Sequence, residues 1–215
     1  MGIKNLLFPT KNLCYLCKDR NGVVVDFICN ECRERLVFSN KEVDLDTDLI
    51  HRTIYCLSYN KYLKEIVHDF KFNDKSYLYK PLAELMFITI KNKEIKDIDL
   101  IAYIPIHRKK EAIRGYNQSE LLASYIGEVL YLPISRNNLI KYKWTKEQNT
   151  LNRSERLKNL KDSFTIRNPN EFINKRILLI DDLITTGSTF KECANLIMEI
   201  GAKSVTCLAL SSSKS

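Results

Sequence analysis

Apolar positions along the chain recur with two periods. In KYLKEIVHDFKF (61–72), Leu63, Ile66, Val67 and Phe70 fall three and four residues apart, the spacing that lays one apolar stripe along a helix. Further helices are predicted over YLYKPLAELMFITIKN (77–92), NQSELLASYIGEVL (117–130) and STFKECANLIMEIG (188–201), the last ended by Gly201. Between them lie short apolar runs: TIYCLSYN (53–60), DLIAYIPI (99–106), RILLIDD (176–182) and SVTCLAL (204–210). Runs of this length read as strands buried on both faces. Their alternation with helices predicts an α/β fold, a parallel sheet flanked by helices.

The N-terminal part follows neither period and is marked by cysteines. CYLC gives Cys14 and Cys17, CNEC gives Cys29 and Cys32, and KDRNGVVVDF between them has the length of a short hairpin. Each pair can grip one side of a tetrahedral ion from a tight turn, so the pattern reads as a structural Zn²⁺ site whose four thiolates leave no position for a substrate water. Four unligated cysteines or two disulfides are the alternatives. A segment this small holds too little core to fold unaided, and the metal would supply the missing free energy. The expected organisation is a zinc-binding module over 1–38, a polar linker over 39–52 (SNKEVDLDTD at its start), and one α/β domain over 53–215.

Composition adds little. An odd count of seven cysteines argues for metal or reduced thiols, and no apolar run reaches the length of a membrane span. With no signal-peptide pattern at the N-terminus, the expectation is a cytoplasmic protein without membrane insertion. A net charge of +8 favours anionic partners without selecting one. His68 is expected to be a partly buried helix histidine, and Cys56, Cys193 and Cys207 to be core residues.

Chemistry concentrates in ILLIDDLITTGST (177–189), where an aliphatic strand stops at Asp181 and Asp182 and becomes small and hydroxylated. Ligands of open parallel sheets bind beyond the carboxyl ends of strands. Backbone N–H groups around Thr185, Thr186, Gly187, Ser188 and Thr189 can wrap a phosphate at the start of the following helix, with Gly187 allowing close approach. The two carboxylates suit the hydroxyls of an attached sugar, so a sugar phosphate fits both halves. A buried strand ending in two solvated aspartates is the plainer alternative. The order of strand, acidic pair, spacer and Thr-Thr-Gly-Ser-Thr resembles the phosphoribosyl pyrophosphate (PRPP) motif of type I phosphoribosyltransferases. That resemblance implies that Asp181 and Asp182 meet the ribose hydroxyls directly or through Mg²⁺, and that Thr185 to Thr189 cradle the 5-phosphate.

Two further segments, IPIHRKKEAIRGYNQSELLA (104–123) and WTKEQNTLNRSERLKNLKDSF (144–164), together with the four-cysteine module, resemble the ComF family of bacterial competence proteins. That family joins a zinc ribbon to a type I phosphoribosyltransferase-like domain. The likeness runs through Arg114-Gly115-Tyr116-Asn117-Gln118 and through Thr145, Gln148, Arg156, Asn159 and Phe164. Lys141 and Lys143 stand where arginine is common, and a lysine lacks arginine's bidentate grip. In the HRKK turn, His107, Arg108, Lys109 and Lys110 can neutralise a pyrophosphate, with Arg108 and Lys109 taken as PRPP-binding residues. Arg114 is taken as catalytic with the two aspartates, Gly115 giving its loop freedom to close.

The resemblance implies a PRPP-binding phosphoribosyltransferase-like protein serving competence and DNA uptake, with Zn²⁺ and Mg²⁺ as cofactors and an unnamed acceptor. The alternative is a non-catalytic PRPP- or nucleotide-binding accessory that meets single-stranded DNA, a DNA-uptake helicase or a recombination mediator. Residues 136 to 161 hold eight Lys or Arg against two Glu. Lys141, Lys143, Trp144 and Lys146 are the candidate nucleic-acid contacts, cations tracking phosphates beside a ring that can stack on a base.

Overall fold

The computed structural model describes residues 13–19, 24–144 and 163–213. Strand β1 (Val24–Val25) pairs antiparallel with β2 (Ile28–Cys29) through Asp26 and Phe27, both at positive φ, as a two-residue type I′ turn requires. Helix α1 (Asn30–Glu34) follows and carries Cys32.

A five-stranded sheet forms the centre, built from β3 (Phe38–Glu42), β4 (Arg52–Ser58), β5 (Leu100–Tyr103), β8 (Arg176–Ile184) and β9 (Ser204–Ser212) in the order β3-β4-β9-β8-β5. The four inner and far strands are parallel to one another, as their apolar runs predict. β3 is antiparallel to β4, so the sheet is mixed rather than wholly parallel. The reason is local: FSNKE is polar, carries a register shift between Phe38 and Lys41, and can occupy only an edge. This strand begins at residue 38 and takes up the first part of the stretch expected as linker. A separate two-stranded ribbon joins β6 (Leu139–Lys141) to β7 (Phe164–Ile166).

Strand residues alternate between two cores, with Leu57 of β4 an exception in sharing its neighbour Cys56's side. Leu178, Ile180, Leu208, Leu210, Ile54, Cys56 and Ile101 face α2 (Lys61–Phe72), α3 (Tyr79–Asn92) and α5 (Gln118–Leu130). Ile177, Leu179, Val205, Cys207, Tyr55 and Ala102 face α6 (Ser188–Glu199) and the β6–β7 ribbon. The predicted helix over 61–72 is observed with those bounds. Its buried positions are Leu63, Ile66, Val67 and Phe70, and Asn60 caps it by accepting from Leu63 N at 2.8 Å. At the opposite end of the sheet from the acidic pair, Arg176 donates to both carboxylate oxygens of Asp99 at 3.0 Å, tying the starts of β5 and β8 together. Among the described residues no helix is long and apolar enough to cross a membrane.

The charged stretch after β5 also departs from expectation. The basic turn after β5 is a helix, α4 (Arg108–Arg114), capped by His107, whose Nδ1 accepts from Lys109 N, and ended by Gly115 at φ +82°.

Candidate functional site

The acidic pair lies at the floor of a cleft of about 730 Å³ at the carboxyl end of β8. Asp181 Oδ1 accepts from Ser119 Oγ and from Asp182 N, both at 2.8 Å. Burial first, and then the neighbouring Asp182 carboxylate, push Asp181 up to about 7. Asp182 is 8% exposed, and its Oδ2 is in contact with the Lys71 ammonium of α2. The backbone then turns into α6. Gly187 is its N-cap at φ +81°, Thr186 Oγ1 accepts from Ser188 N at 3.3 Å, and the two hydroxyls lie 2.6 Å apart. Thr185, Gly187 and Thr189 line the cleft. Leu45, from the stretch after β3, packs behind Gly187.

The segment Arg114 to Ser119 builds the facing wall, and each polar residue in it has a structural task. Asn117 caps α5 by accepting from Ser119 N and anchors it to β5 by donating to Ile104 O, both at 3.0 Å. Tyr116 Oη and Gln118 Nε2 both donate to Phe70 O, at 2.7 and 3.2 Å, fixing the last turn of α2. Gln118 Oε1 accepts from Arg114 Nη1, and the Arg114 guanidinium lies 5.1 Å from the Phe72 ring centre. Arg114 therefore sits in the cleft wall on a helix end. The motif positions Ser119 against Asp181 and Lys71 against Asp182.

Of the HRKK run, His107 and Lys110 line the cleft, whereas Arg108 and Lys109 are exposed and lie outside its lining. The two-turn helix α4 explains the split, since residues 107 and 110 share a face that 108 and 109 do not. Lys141 also lines the cleft; burial lowers its basicity, Lys110 adds to that effect, and Cys193 and Asp181 oppose it. Trp144 lines the cleft with its ring 5.1 Å from His107, edge to face. Lys143 is exposed, 5.9 Å from the Tyr142 ring centre, and Lys146 lies outside the described residues, as does most of the basic stretch. Lys141 and Trp144 thus belong to the same cleft as the aspartates. His68 differs from expectation: it is exposed, lies with its ring 5.0 Å from that of Phe72 in a tilted contact and lines the cleft, because it sits on the helix face opposite the apolar stripe. Cys56, Cys193 and Cys207 are buried core residues as expected.

Lys71 and Ser119 were missed by reasoning from sequence. Lys71 is a lysine in the last turn of a helix, a common place for one, and only the fold brings it to Asp182.

The second site is the cysteine cluster. The Sγ atoms of Cys14, Cys17, Cys29 and Cys32 all lie within 4.8 Å of one another, and none of the seven cysteines is in a disulfide. Zn–S bonds of roughly 2.3 Å at tetrahedral angles require sulfurs roughly 3.8 Å apart; the Cys17–Cys29 pair stands at 3.7 Å. Backbone N–H groups of Asp19 and Cys29 point at Cys17 and Cys14 sulfurs, at 3.5 and 3.4 Å, the kind of support that thiolate ligands receive. Burial raises Cys14, but backbone donors outweigh it and bring the thiol down to about 7; burial pushes Cys32 well up. Four adjacent thiols cannot all ionise without a cation. The donor set therefore fits a structural zinc ion.

Residues 132–215 match the phosphoribosyl transferase domain family. The acidic strand end and the helix-start loop lie inside the matched residues, and this defines the class of that part of the chain: a phosphoribosyltransferase domain. Over 148 residues, 66% of this chain and 65% of the relative's length, the sequence is 30% identical to competence protein F of Haemophilus influenzae. It is 28% identical to competence protein ComFC of Bacillus subtilis across 95% of this chain and 86% of that protein. To the DNA utilization protein YhgH of Escherichia coli it is 27% identical, across 72% and 69% of the two chains. The chain is a homologue of these competence F and ComFC proteins, with a cysteine cluster that fits a zinc ribbon joined to the phosphoribosyltransferase domain.

Proposed function

We propose that the cleft binds PRPP and that the protein serves DNA uptake through that site. The observation that carries the reading is the placement of Asp181 and Asp182 on the floor of one cleft. The Thr185–Thr189 loop forms its rim, and Lys71, Lys110, Arg114 and Lys141 are among its lining. Carboxylates accept hydrogen bonds from vicinal ribose hydroxyls and repel phosphate, so the sugar sits over the pair. The loop at the helix start takes the 5-phosphate. The lysines and Arg114 offset the charge of the pyrophosphate. Asp181 and Asp182 offer the hard oxygen donors that Mg²⁺ takes, and the ion would neutralise charge on the leaving group.

In a transfer reaction the bond from C1 of the ribose to the pyrophosphate oxygen breaks while an acceptor bonds to C1, and pyrophosphate leaves with the electron pair. His68, Phe72, His107 and Trp144 line the remaining cleft, where an acceptor or a base would lie.

The test is calorimetric titration of the full chain with PRPP and Mg²⁺. Asp182→Asn keeps the shape and removes the charge, and is expected to weaken binding by about 1 to 3 kcal/mol, roughly five- to 150-fold. Equal affinity in the two proteins would refute the assignment. Incubation with radiolabelled PRPP and chromatography of the products then separates turnover from binding alone.

A further inference from the structure

We propose that Lys71 is the resident counter-cation of the acidic pair, holding Asp182 in the empty site and yielding it to a divalent metal ion. The idea rests on the reading above only in taking the carboxylates as the groups that meet a ligand.

Three observations carry it. The Lys71 ammonium touches Asp182 Oδ2, with side chains only 19% and 11% exposed. That oxygen is fully buried, and among the described residues it accepts no hydrogen bond of normal geometry, so the ammonium is its compensation. Lys71 is also held in place, because the carbonyl of the preceding Phe70 takes both the Tyr116 hydroxyl and the Gln118 amide. The cation is therefore built in.

Two adjacent carboxylates at a buried strand end are costly without positive charge beside them. An ammonium supplies one unit. A divalent ion supplies two and is held by several oxygens, so it displaces the lysine at lower concentration when a ligand brings further oxygens to it. The two cations repel on one oxygen, and each must weaken the other by the same factor. Lys71 thus raises the metal concentration needed to occupy the carboxylates without a ligand. When the ion arrives with a ligand's phosphates, the released ammonium remains in the cleft beside them.

The experiment uses the full chain without PRPP and Mn²⁺ as the probe, followed by electron paramagnetic resonance. Removing the charge in Lys71→Met is expected to tighten Mn²⁺ binding about tenfold or more. Lys71→Arg, which keeps the charge, is expected to stay near the wild type. Adding Asp182→Asn to Lys71→Met is expected to abolish the gain. Circular dichroism reports whether the variants fold. Should Lys71→Met not fold, the wild type decides: Mn²⁺ is expected to raise the acylation of Lys71 by an amine-specific reagent, mapped by mass spectrometry. Unchanged metal affinity in a folded Lys71→Met, or Lys71 reactivity that Mn²⁺ leaves the same or lowers, would overturn the proposal. Because PRPP is absent throughout, that failure would leave PRPP binding standing, and weak PRPP binding would not rescue or sink the metal result.

Discussion

Gly187→Ala tests whether the loop at the start of α6 is held by its own backbone or by what packs behind it. Gly187 has φ +81°, and a Cβ added there would lie 2.4 Å from Leu45 Cδ2 and 3.1 Å from Cδ1. Gly115 has nearly the same φ, +82°, with nothing within 4 Å of such a Cβ. The two glycines therefore separate the two costs. Alanine at 115 should lose only the left-handed penalty, about 1 to 2 kcal/mol. Alanine at 187 should lose that and a further overpacking cost of about 1 to 3 kcal/mol, because Leu45 is 3% exposed and has little room to withdraw. Urea denaturation of both variants is the assay, read as midpoint shifts at constant slope. Leu45→Ala in the Gly187→Ala background should recover the difference although Leu45→Ala alone destabilises, a non-additivity that distant sites do not show. Equal losses at 187 and 115, to within about 0.5 kcal/mol, would refute the reasoning.

Two other outcomes follow from the same geometry. The purified chain should carry one zinc ion, and Cys29→Ser with Cys32→Ser should remove it and lower the melting temperature; metal analysis showing unchanged zinc in the double variant rules out the four-sulfur site. Asp181 is raised in the fold, so the folded state binds more protons than the unfolded one, and stability is expected to fall as pH rises from about 4 to about 7. Asp181→Asn can still accept from Ser119 and should flatten that fall in thermal melts at stepped pH.

Much of this arrangement is legible in the sequence, and the rest is missing for identifiable reasons. The helix over 61–72 announces itself by a local period and strands β8 and β9 by continuous apolar runs, although both strands run two residues past those runs, to Ile184 and Ser212. Strand β3 does not: Ser39, Asn40, Lys41 and Glu42 have no strand pattern, and only a partner already in place makes them one. The helix α4 hides in a run of charges, since a helix with no buried residue has no apolar stripe to read. The acidic pair, the loop and the cysteine cluster were each visible as contiguous or regularly spaced residues. Lys71 and Leu45 act across more than a hundred residues of chain, and no local pattern reports such a distance.

The four-cysteine end of the chain is sewn to the sheet. Cys14, Ile28, Cys29 and Cys32 belong to the same buried cluster as Ile54, Leu63, Leu82 and Leu122. Tyr15 meets Tyr77 edge to face at 6.0 Å, Lys18 lies 3.5 Å from the Tyr77 ring centre, and Asn60 donates to Arg35 O at 3.0 Å. A chain cut at residue 38 would therefore be left with a bare apolar flank over the helices that carry Lys71 and Ser119. Anyone wishing to study the phosphoribosyltransferase domain by itself should expect an aggregating fragment, and should treat any zinc held by the four cysteines as an ingredient of the cleft's architecture from the moment of synthesis.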